Sequence, residues 1–478
     1  MAVGWCNPDV TIPLLQSGQT TLGSSMRSRL IFTSLPCTSL IAPALMATYL
    51  MAACSMAAYG QSVPPDLLAL YKDLHSHPEL SHHEERTSGI VADSLRKDGY
   101  TVTDHIGIYP DGSHGFGVVG ILKNGAGPTL LIRADMDALP IVEETGLPYA
   151  SRVRSKNAAD QDVGVMHACG HDVHTTVLLG VARNLMAQKG NWHGTVMLLA
   201  QPSEETIDGA KAMLADHVYE RLGKPDMVIG LHDTNELAAG KVGITSGPAM
   251  AASTSIDVTV HGIGGHGSAP EHGRDPITLA ALYITQIQTI VSREENPQDP
   301  TVVTVGDIHG GTKRNIIPDD VKLELTVRTF SDKARKTVID GLTNMAAGLT
   351  IAAGLPPEKA ATVKVLEDES TPSLYNDPAL MGRVRAKIEN TIGKDNVVDS
   401  IRHMGSEDVG VLGLEPGAGG IPVAYFWLGA MDPQKLAAAE ARGAFLPGPH
   451  TSKFEPLPEP TLTTGITAMT AVAESLLQ

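Results

Sequence analysis

Cysteine is scarce in this sequence, and most of it lies near the N terminus. Three of the four cysteines in the 478 residues are Cys6, Cys37 and Cys54. If the first 60 residues are removed as a leader, only Cys169 remains, and a single cysteine cannot form a disulfide within the chain. Two interpretations of Cys169 stay open: a thiolate that ligates a metal, or a buried side chain that packs as a small hydrophobic residue.

Positive charge is scarce as well. The 36 Lys and Arg residues stand against 53 Asp and Glu, which gives a formal net charge of -17, and no basic stripe interrupts this excess. A phosphate backbone would be repelled by such a surface, so the composition argues against nucleic acid as a partner. Beyond the leader we find no internal repeat and no low-complexity tract.

Charged residues of either sign are missing from residues 30–58, and Arg27 and Arg29 precede this run. Basic residues followed by an apolar stretch are the order of a signal peptide. We therefore expect residues 1–60 to be a leader, cleaved after Gly60, and the protein to be exported to a bacterial periplasm or secreted. A membrane anchor that is not cleaved is the alternative, because the apolar run is long enough to span a bilayer.

The rest of the chain is long enough for two domains. Continuous apolar runs recur in it and end in polar residues, as in TLLIRADMD, TVMLLAQPSEE and MVIGLHD. Such runs are typical of strands buried on both faces, which predicts an α/β fold with helices on both faces of a sheet. Ligands collect beyond the carboxyl ends of such strands, and the polar residues found there are Asp135, Asp137, Glu204, Glu205 and His232.

Two further patterns concern organisation. The pattern Ser81-x-x-Glu84 is that of a capping box and predicts a helix over residues 82–98. Residues 250–367 alternate as βαββαβ, the ferredoxin-like order. We interpret this unit as an insertion, with a catalytic domain built from residues 61–249 and 368–478. A linear arrangement of three domains is the alternative.

The stretch MHACGHDVHTT, residues 166–176, suggests a metal site. Gly170 lets the chain turn tightly enough to bring the Cys169 sulfur and the His171 imidazole together. Thiolate with imidazole suits zinc or a neighbouring transition metal. Structural histidines at a helix start are the alternative.

Two adjacent carboxylates follow another apolar run, in QPSEE. Consecutive residues present different faces, so of Glu204 and Glu205 one could ligate a metal while the other handles a proton. A solvated acidic turn is the alternative. His232 and His450 complete a set of potential ligands that is large enough for two metal ions, and Asp137 could orient a ligand from behind.

Nine motifs occur in a fixed order: RADMDALP, MHACGHDVHT, QPSEE, GLHD, GGHGSAPEHGRDP, RNIIPD, VRTF, GSEDVG and PHTSKF. In this set the chain resembles, from about residue 67 to its end, the amidohydrolase branch of the dinuclear zinc metallopeptidases. That branch contains hippurate hydrolase, N-acyl-amino-acid amidohydrolases and auxin-conjugate hydrolases. The resemblance implies a zinc-peptidase-like α/β domain with a ferredoxin-like lid, through which such proteins often form dimers.

Carried over residue by residue, the resemblance also implies site roles. Glu204 is the general base, Asp137 the supporting acid, and His266 stabilises the oxyanion, often from a partner subunit. Asn315 and Arg328 bind substrate. The implied metal ligands are Cys169, His171, Glu205, His232 and His450. Two departures concern the shape of the pocket: Val409 stands where an aromatic residue is usual, and Thr451-Ser452 where Ser or Asn is followed by Pro.

The function expected from these observations is hydrolysis of the amide bond of N-acyl or N-aroyl amino acids. Water is activated by two divalent ions, Zn or Mn and possibly Co or Ni, with a Glu as general base. The expected partners are a small N-acyl amino acid or short peptide and a second copy of the chain, in a homodimer or a larger homo-oligomer. The alternatives are a metallocarboxypeptidase or dipeptidase, a non-catalytic periplasmic binding protein, and a cysteine-nucleophile hydrolase.

Overall fold

The computed structural model of the protein describes residues 62–414 and 420–478. The predicted leader at residues 1–60 lies outside the described residues. Within those ranges we find no helix that combines the length and the apolar character needed to cross a membrane.

The helices begin where the sequence offers caps. Asp377, for example, precedes a proline, and its carboxylate accepts the Leu380 N–H and so satisfies one free donor of the first turn. In chain order the α-helices of the described residues are α1 Pro65–Ser76, α2 Glu85–Lys97, α3 His171–Ala187, α4 Gly209–Ala215, α5 Val218–Leu222, α6 Pro276–Thr289, α7 Asp332–Ala352, α8 Pro378–Ile392, α9 Pro433–Glu440 and α10 Pro458–Leu476.

The strands follow the apolar runs of the sequence. They are β1 Thr101–Ile108, β2 His114–Asn124, β3 Thr129–Asp135, β4 Arg154–Lys156, β5 Asp162–Gly164, β6 Gly194–Gln201, β7 Met227–Ala238, β8 Val242–Ile244, β9 Gly247–Met250, β10 Ala252–His261, β11 Gly265–His266, β12 Val302–His309, β13 Ile316–Ile317, β14 Asp320–Thr329, β15 Thr362–Thr371, β16 Leu374–Asn376, β17 Val397–Asp399 and β18 Val423–Met431.

Eight strands form one mixed sheet in the order β1-β2-β6-β3-β7-β18-β8-β17. Its four central strands, β6, β3, β7 and β18, are mutually parallel, so their carboxyl ends meet at one edge. The prediction of an α/β fold around a large sheet is confirmed. The polar residues that end β3 and β6, and those within β7, are therefore neighbours at that edge.

Both faces of this sheet are covered. On β3, Leu130 and Ile132 pack into a core with α2, α3, α8 and α10, whereas Leu131 packs into a second core with α4. Successive side chains of a strand point to opposite faces, so an uninterrupted apolar run is what a doubly covered strand requires.

A second sheet is built from residues between β9 and β16. Its order is β12-β14-β10-β15, all neighbours are antiparallel, and α6 and α7 pack on one face. The large sheet takes strands from both sides of this unit, and the chain enters and leaves it beside the paired residues Met250 and Leu374. The two connections therefore lie close together.

The predicted capping box is wrong. Helix α2 begins at Glu85 rather than at residue 82, and the side chains of Ser81 and Glu84 do not cap it. The Ser81 hydroxyl donates instead to the Asp137 carboxylate at 2.7 Å, and the Glu84 carboxylate accepts the Ser203 N–H at 2.8 Å. Long-range partners have replaced the local pair, which a sequence pattern cannot reveal.

Candidate metal centre

The turn before α3 brings Cys169 and His171 together. Gly170 adopts φ +81°, and a Cβ atom there would lie 2.2 Å from an Asp233 carboxylate oxygen, so only glycine fits. His171 is the first residue of α3 and is fully buried, and Cys169 is also buried. The turn thus points both side chains into the carboxyl edge of the sheet.

Backbone carbonyls orient the two buried imidazoles. His171 Nδ1 lies 2.9 Å from the Asp137 carbonyl oxygen, and His232 Nδ1 lies 2.7 Å from the Asp233 carbonyl oxygen. A carbonyl oxygen only accepts, so Nδ1 donates in both rings. In the neutral form of each ring, Nε2 would therefore present a lone pair towards the site, the arrangement usual for metal-binding histidines.

Asp137 also fixes the two glutamates that follow β6. Its carboxylate accepts the Glu204 N–H at 3.1 Å and the Glu205 N–H at 3.0 Å. Burial and the charges of Glu407 and Glu205 raise the pKa of Glu204 well above its usual range. A carboxylate with a raised pKa is suited to taking up a proton.

The donor atoms of the five candidate ligands lie close to one another. Cys169 Sγ is 3.4 Å from His232 Nε2, and His450 Nε2 is 3.3 Å from Glu205 Oε2. A tetrahedral zinc site separates its ligand atoms by roughly 3.3–3.8 Å, given its bond lengths of about 2.0–2.3 Å. Among several overlapping groups that could hold an ion, two consist only of these five residues and share the cysteine: Cys169, His171 and His232, and Cys169, Glu205 and His450.

The residues fit divalent cations. His171 Nε2 and Glu205 Oε1 are buried, and no hydrogen-bond partner for either exists in the described part of the chain. Burial and the charges of Glu205 and Glu204 raise the pKa of the Cys169 thiol well above its usual range. A bound cation would lower the pKa of the thiol, because it favours the thiolate. It would also give the unpartnered His171 Nε2 and Glu205 Oε1 atoms a ligand bond.

A cavity of about 490 Å³ opens over these ligands. Arg328, on β14, reaches it from the second sheet and donates to the Ser406 hydroxyl. Trp427 forms part of the wall and lies against the imidazoles of His232 and His403, with ring centroids 5.7 and 4.4 Å apart. The cavity is therefore lined from both sheets.

Two predicted site residues lie elsewhere in the chain. His266, in β11, and Asn315, just before β13, are exposed at the small antiparallel pair that these two strands form, where the Gly267 N–H donates to the Asn315 carbonyl oxygen at 2.9 Å. The His266 Nδ1 atom accepts a hydrogen bond from the Ser268 N–H and lies within hydrogen-bond distance of the Ser268 hydroxyl. Neither residue lines the cavity.

Comparison with known proteins identifies the family of the chain. A family model described as peptidase family M20/M25/M40 matches residues 131–445. The chain belongs to this peptidase family. The predicted resemblance and the prediction of an amidohydrolase enzyme are both confirmed.

Individual relatives are similar over most of their length. An N-acetyl-L-cysteine deacetylase of Bacillus subtilis is 37% identical over 72% of this chain and 76% of its own. A thermostable carboxypeptidase 1 of Saccharolobus solfataricus is 34% identical over 81% of this chain and 90% of its own. A Bacillus subtilis crystal structure described as a dinuclear metal binding peptidase of the M20 family superposes with a TM-score of 0.67, at 28% identity over 86% of this chain and 97% of that one.

Sequence reasoning missed a charge network beneath the candidate ligands. Arg133 is buried within β3 and donates to Asp135 at 2.6 Å, Glu407 at 2.7 Å and Asp408 at 2.9 Å. Glu407 and Asp408 are buried too and do not line the cavity. The signal was present, because an arginine inside an apolar strand must find partners.

His174 joins this network to the backbone beside His232. Its Nδ1 atom lies 2.6 Å from the Asp135 carboxylate, and its Nε2 atom accepts the Asp233 N–H at 3.0 Å. It therefore ties α3 to the end of β3 and to the middle of β7.

His75 is another buried histidine, and it lies next to the start of the helix that follows Cys169. His75 Nδ1 lies 2.7 Å from Asp172 Oδ2, and its Nε2 lies 3.1 Å from Glu143 Oε1. Burial alone would lower the pKa of His75, but the hydrogen bonds with Asp172 and Glu143 raise it to about 10. The charged imidazolium cross-links α1 to the start of α3.

This raised pKa predicts a pH-dependent stability. A group whose pKa rises on folding stabilises the fold fully below its unfolded pKa of 6.5, and the contribution disappears as the pH passes 10. The difference in unfolding free energy between the wild type and His75→Gln, measured with denaturant in the presence of a chelator, should shrink by on the order of a few kcal/mol over this interval. His77→Gln, at an exposed position, serves as the control. A difference that stays constant with pH would contradict the assignment.

Proposed function

We propose that the protein hydrolyses the amide bond of N-acyl or N-aroyl amino acids, with two divalent metal ions, Zn or Mn, and Glu204 as general base. The observation that carries this proposal is the proximity of five candidate ligands to one another and to Glu204. Glu204, Cys169, Glu205, His232 and His450 line one cavity, and the fifth candidate ligand, His171, is buried beside them. The two ligand groups that share Cys169 support a pair of ions.

The chemistry divides between the ions and the protein. When bound, divalent cations act as Lewis acids on the amide carbonyl and lower the pKa of water. Glu204 takes the proton from the attacking water and returns it to the leaving amine. Asp137 holds the backbone of Glu204 during both transfers, through the hydrogen bond that it accepts.

Arg328 is the proposed anchor for the substrate carboxylate. Its guanidinium is half-buried in the cavity wall, and no carboxylate of the described residues pairs with it. An uncompensated guanidinium can take a carboxylate through two parallel hydrogen bonds. The released amino acid would carry that carboxylate.

The unit that carries β10 to β15 is proposed to be a ferredoxin-like lid and dimerisation domain. Its edge strand β12 exposes Ile308, and α6 exposes Leu282, each at about half of its surface. An exposed edge strand with apolar side chains favours pairing with a second copy. In such a dimer His266 and Asn315, which lie outside their own cavity, would serve the cavity of the partner.

A carboxypeptidase or dipeptidase activity at the same site is the second candidate. One relative bears the name carboxypeptidase, and Glu236 supports the idea from within the cavity. Its carboxylate is more than half exposed and lies 3.8 Å from His403 Nε2. It could receive the free ammonium group of a dipeptide, which an N-acyl amino acid lacks.

Export is also a proposal, and it rests on the order of basic and apolar residues before residue 60. N-terminal sequencing of the protein recovered from a producing bacterium tests it, and an intact first residue would contradict cleavage.

Glu204→Gln should keep its metal and lose turnover. We expect kcat on N-acetyl amino acids to fall by about 10²- to 10⁴-fold, because the amide cannot accept the proton. Metal content by elemental analysis should equal that of the wild type, and Glu220→Gln, on exposed α5, should be fully active. Chelation should abolish wild-type activity, and added Zn or Mn should restore it. Activity that survives complete metal removal would favour the cysteine nucleophile instead.

Subunit mixing tests the role of His266. We expect His266→Ala to lose about 10²- to 10³-fold in kcat, as when an oxyanion donor is removed. If His266 acts on the partner, mixing it with Glu204→Gln should regain roughly a quarter of wild-type activity, because half of the dimers are mixed and each has one intact site. No recovery after verified subunit exchange would show that the histidine does not act across the dimer.

A substrate panel separates the two candidate activities. N-acetyl and N-benzoyl amino acids are compared with the matching dipeptides. For a dipeptidase, Glu236→Gln should raise KM for dipeptides about tenfold, the loss of one charged hydrogen bond, and leave KM for N-acetyl substrates unchanged. The dipeptidase candidate is rejected if the wild type leaves dipeptides intact.

A further inference from the structure

The loop that carries Glu204 and Glu205 has an unusual backbone. Ser203 and Ile207, on either side of the two glutamates, adopt φ +55° and +61°. This left-handed region is unfavourable for residues with a side chain, above all for β-branched ones such as Ile207. Such a backbone persists only where the surrounding structure over-determines it.

Glu84 supplies the contacts that hold Ser203. Its Oε1 atom accepts the Ser203 N–H at 2.8 Å, the Ser203 hydroxyl lies 3.2 Å from the same oxygen, and the His82 N–H donates to it at 3.1 Å. Tyr109 adds a hydrogen bond of 2.6 Å between its hydroxyl and that of Ser203. The conformation of Ser203 thus depends on a residue more than a hundred positions earlier.

The burial of Glu84 in this position is energetically unfavourable. It is 0% exposed, no cation pairs with it in the described ranges, and its Oε2 atom has no hydrogen-bond partner there. Burial and the charge of Asp137 raise the pKa of Glu84 to about 8. A buried carboxyl without a counter-ion destabilises a fold. Glu84 does not cap α2 either, so a contribution to local stability does not explain its presence at this position.

We infer that Glu84 is a positioning residue: it holds Ser203 in the left-handed conformation that directs the next residue, Glu204, into the cavity. Asp137 fixes the Glu204 N–H from the other side, so the backbone on both sides of the base is held by a carboxylate. The inference rests on the proposed role of Glu204 as general base.

Glu79 offers a matched control. It is a carboxylate of the same segment, and it accepts the Arg86 N–H at 2.9 Å and the Thr87 N–H at 2.8 Å at the start of α2. Its side chain has no hydrogen bond to the 202–207 loop. Loss of Glu79 should weaken the helix start and leave the base in position.

The experiment compares Glu84→Ala, Glu84→Gln and Glu79→Ala in the metal-loaded protein. We expect Glu84→Ala to lower kcat by about 10- to 100-fold, the effect of a displaced catalytic group, with KM and metal content unchanged. Glu84→Gln retains an acceptor oxygen and should return kcat to within about threefold of the wild type. Glu79→Ala should keep the wild-type kcat.

Hydrogen exchange of the metal-free protein gives a second readout that needs no substrate. Amides of residues 203–209 should exchange faster in Glu84→Ala than in the wild type or in Glu79→Ala. If Glu84→Ala does not fold, Tyr109→Phe removes one bond to the same serine and should show faster exchange of the same segment.

Three results would overturn the inference: a wild-type kcat and exchange rate in Glu84→Ala, an equal loss in Glu79→Ala, or no recovery in Glu84→Gln. A wild-type protein that hydrolyses nothing in the substrate panel would instead refute the proposed function. The exchange comparison would still test the role of Glu84 in holding the loop.

Discussion

The hydrogen bonds of Asp137 join the two loops on which the candidate metal centre depends. Its carboxylate accepts the N–H groups of Glu204 and Glu205, and its carbonyl oxygen accepts from His171. One buried residue, just beyond the end of β3, therefore sets the position of two candidate ligands, Glu205 and His171, and of the proposed base Glu204. Ligand atoms held in this way need little reorganisation when cations bind.

Charge balance is the second constraint on this edge of the sheet. Three buried carboxylates, Asp135, Glu407 and Asp408, surround one arginine, Arg133. Above them lie Glu204, Glu205 and the Cys169 thiol, and burial is the main reason that the pKa of each is raised. Divalent cations would supply the missing positive charge, so metal binding and the stability of this edge are expected to be linked.

The two sheets have different tasks in the proposed reaction. The large sheet carries the candidate ligands and the base, whereas the second sheet brings Arg328 to the same cavity and presents His266 and Asn315 at a distance from it. The second sheet and its two helices join the rest of the chain through two adjacent connections. Under the proposed function this unit would act as a lid, and its closure would bring Arg328 onto the substrate.

Residue chemistry and order determined a good part of this description. Uninterrupted apolar runs predicted strands buried on both faces, and polar residues at their ends predicted the edge where Asp135, Glu204 and His232 meet. Gly170 indicated a tight turn, and its left-handed backbone beside Asp233 shows why no other residue fits. These features follow from local periodicity and from side-chain chemistry, both of which a sequence displays directly.

Only the tertiary structure decided which polar groups satisfy one another. Ser81 and Glu84 have the spacing of a local cap, yet their partners are Asp137 and Ser203, because burial rewards the best-placed partner irrespective of its distance along the chain. For the same reason the sequence did not reveal that Arg133 pairs with Glu407 and Asp408, some 270 residues away. A sequence shows which groups need partners. The packed chain determines which partners they find.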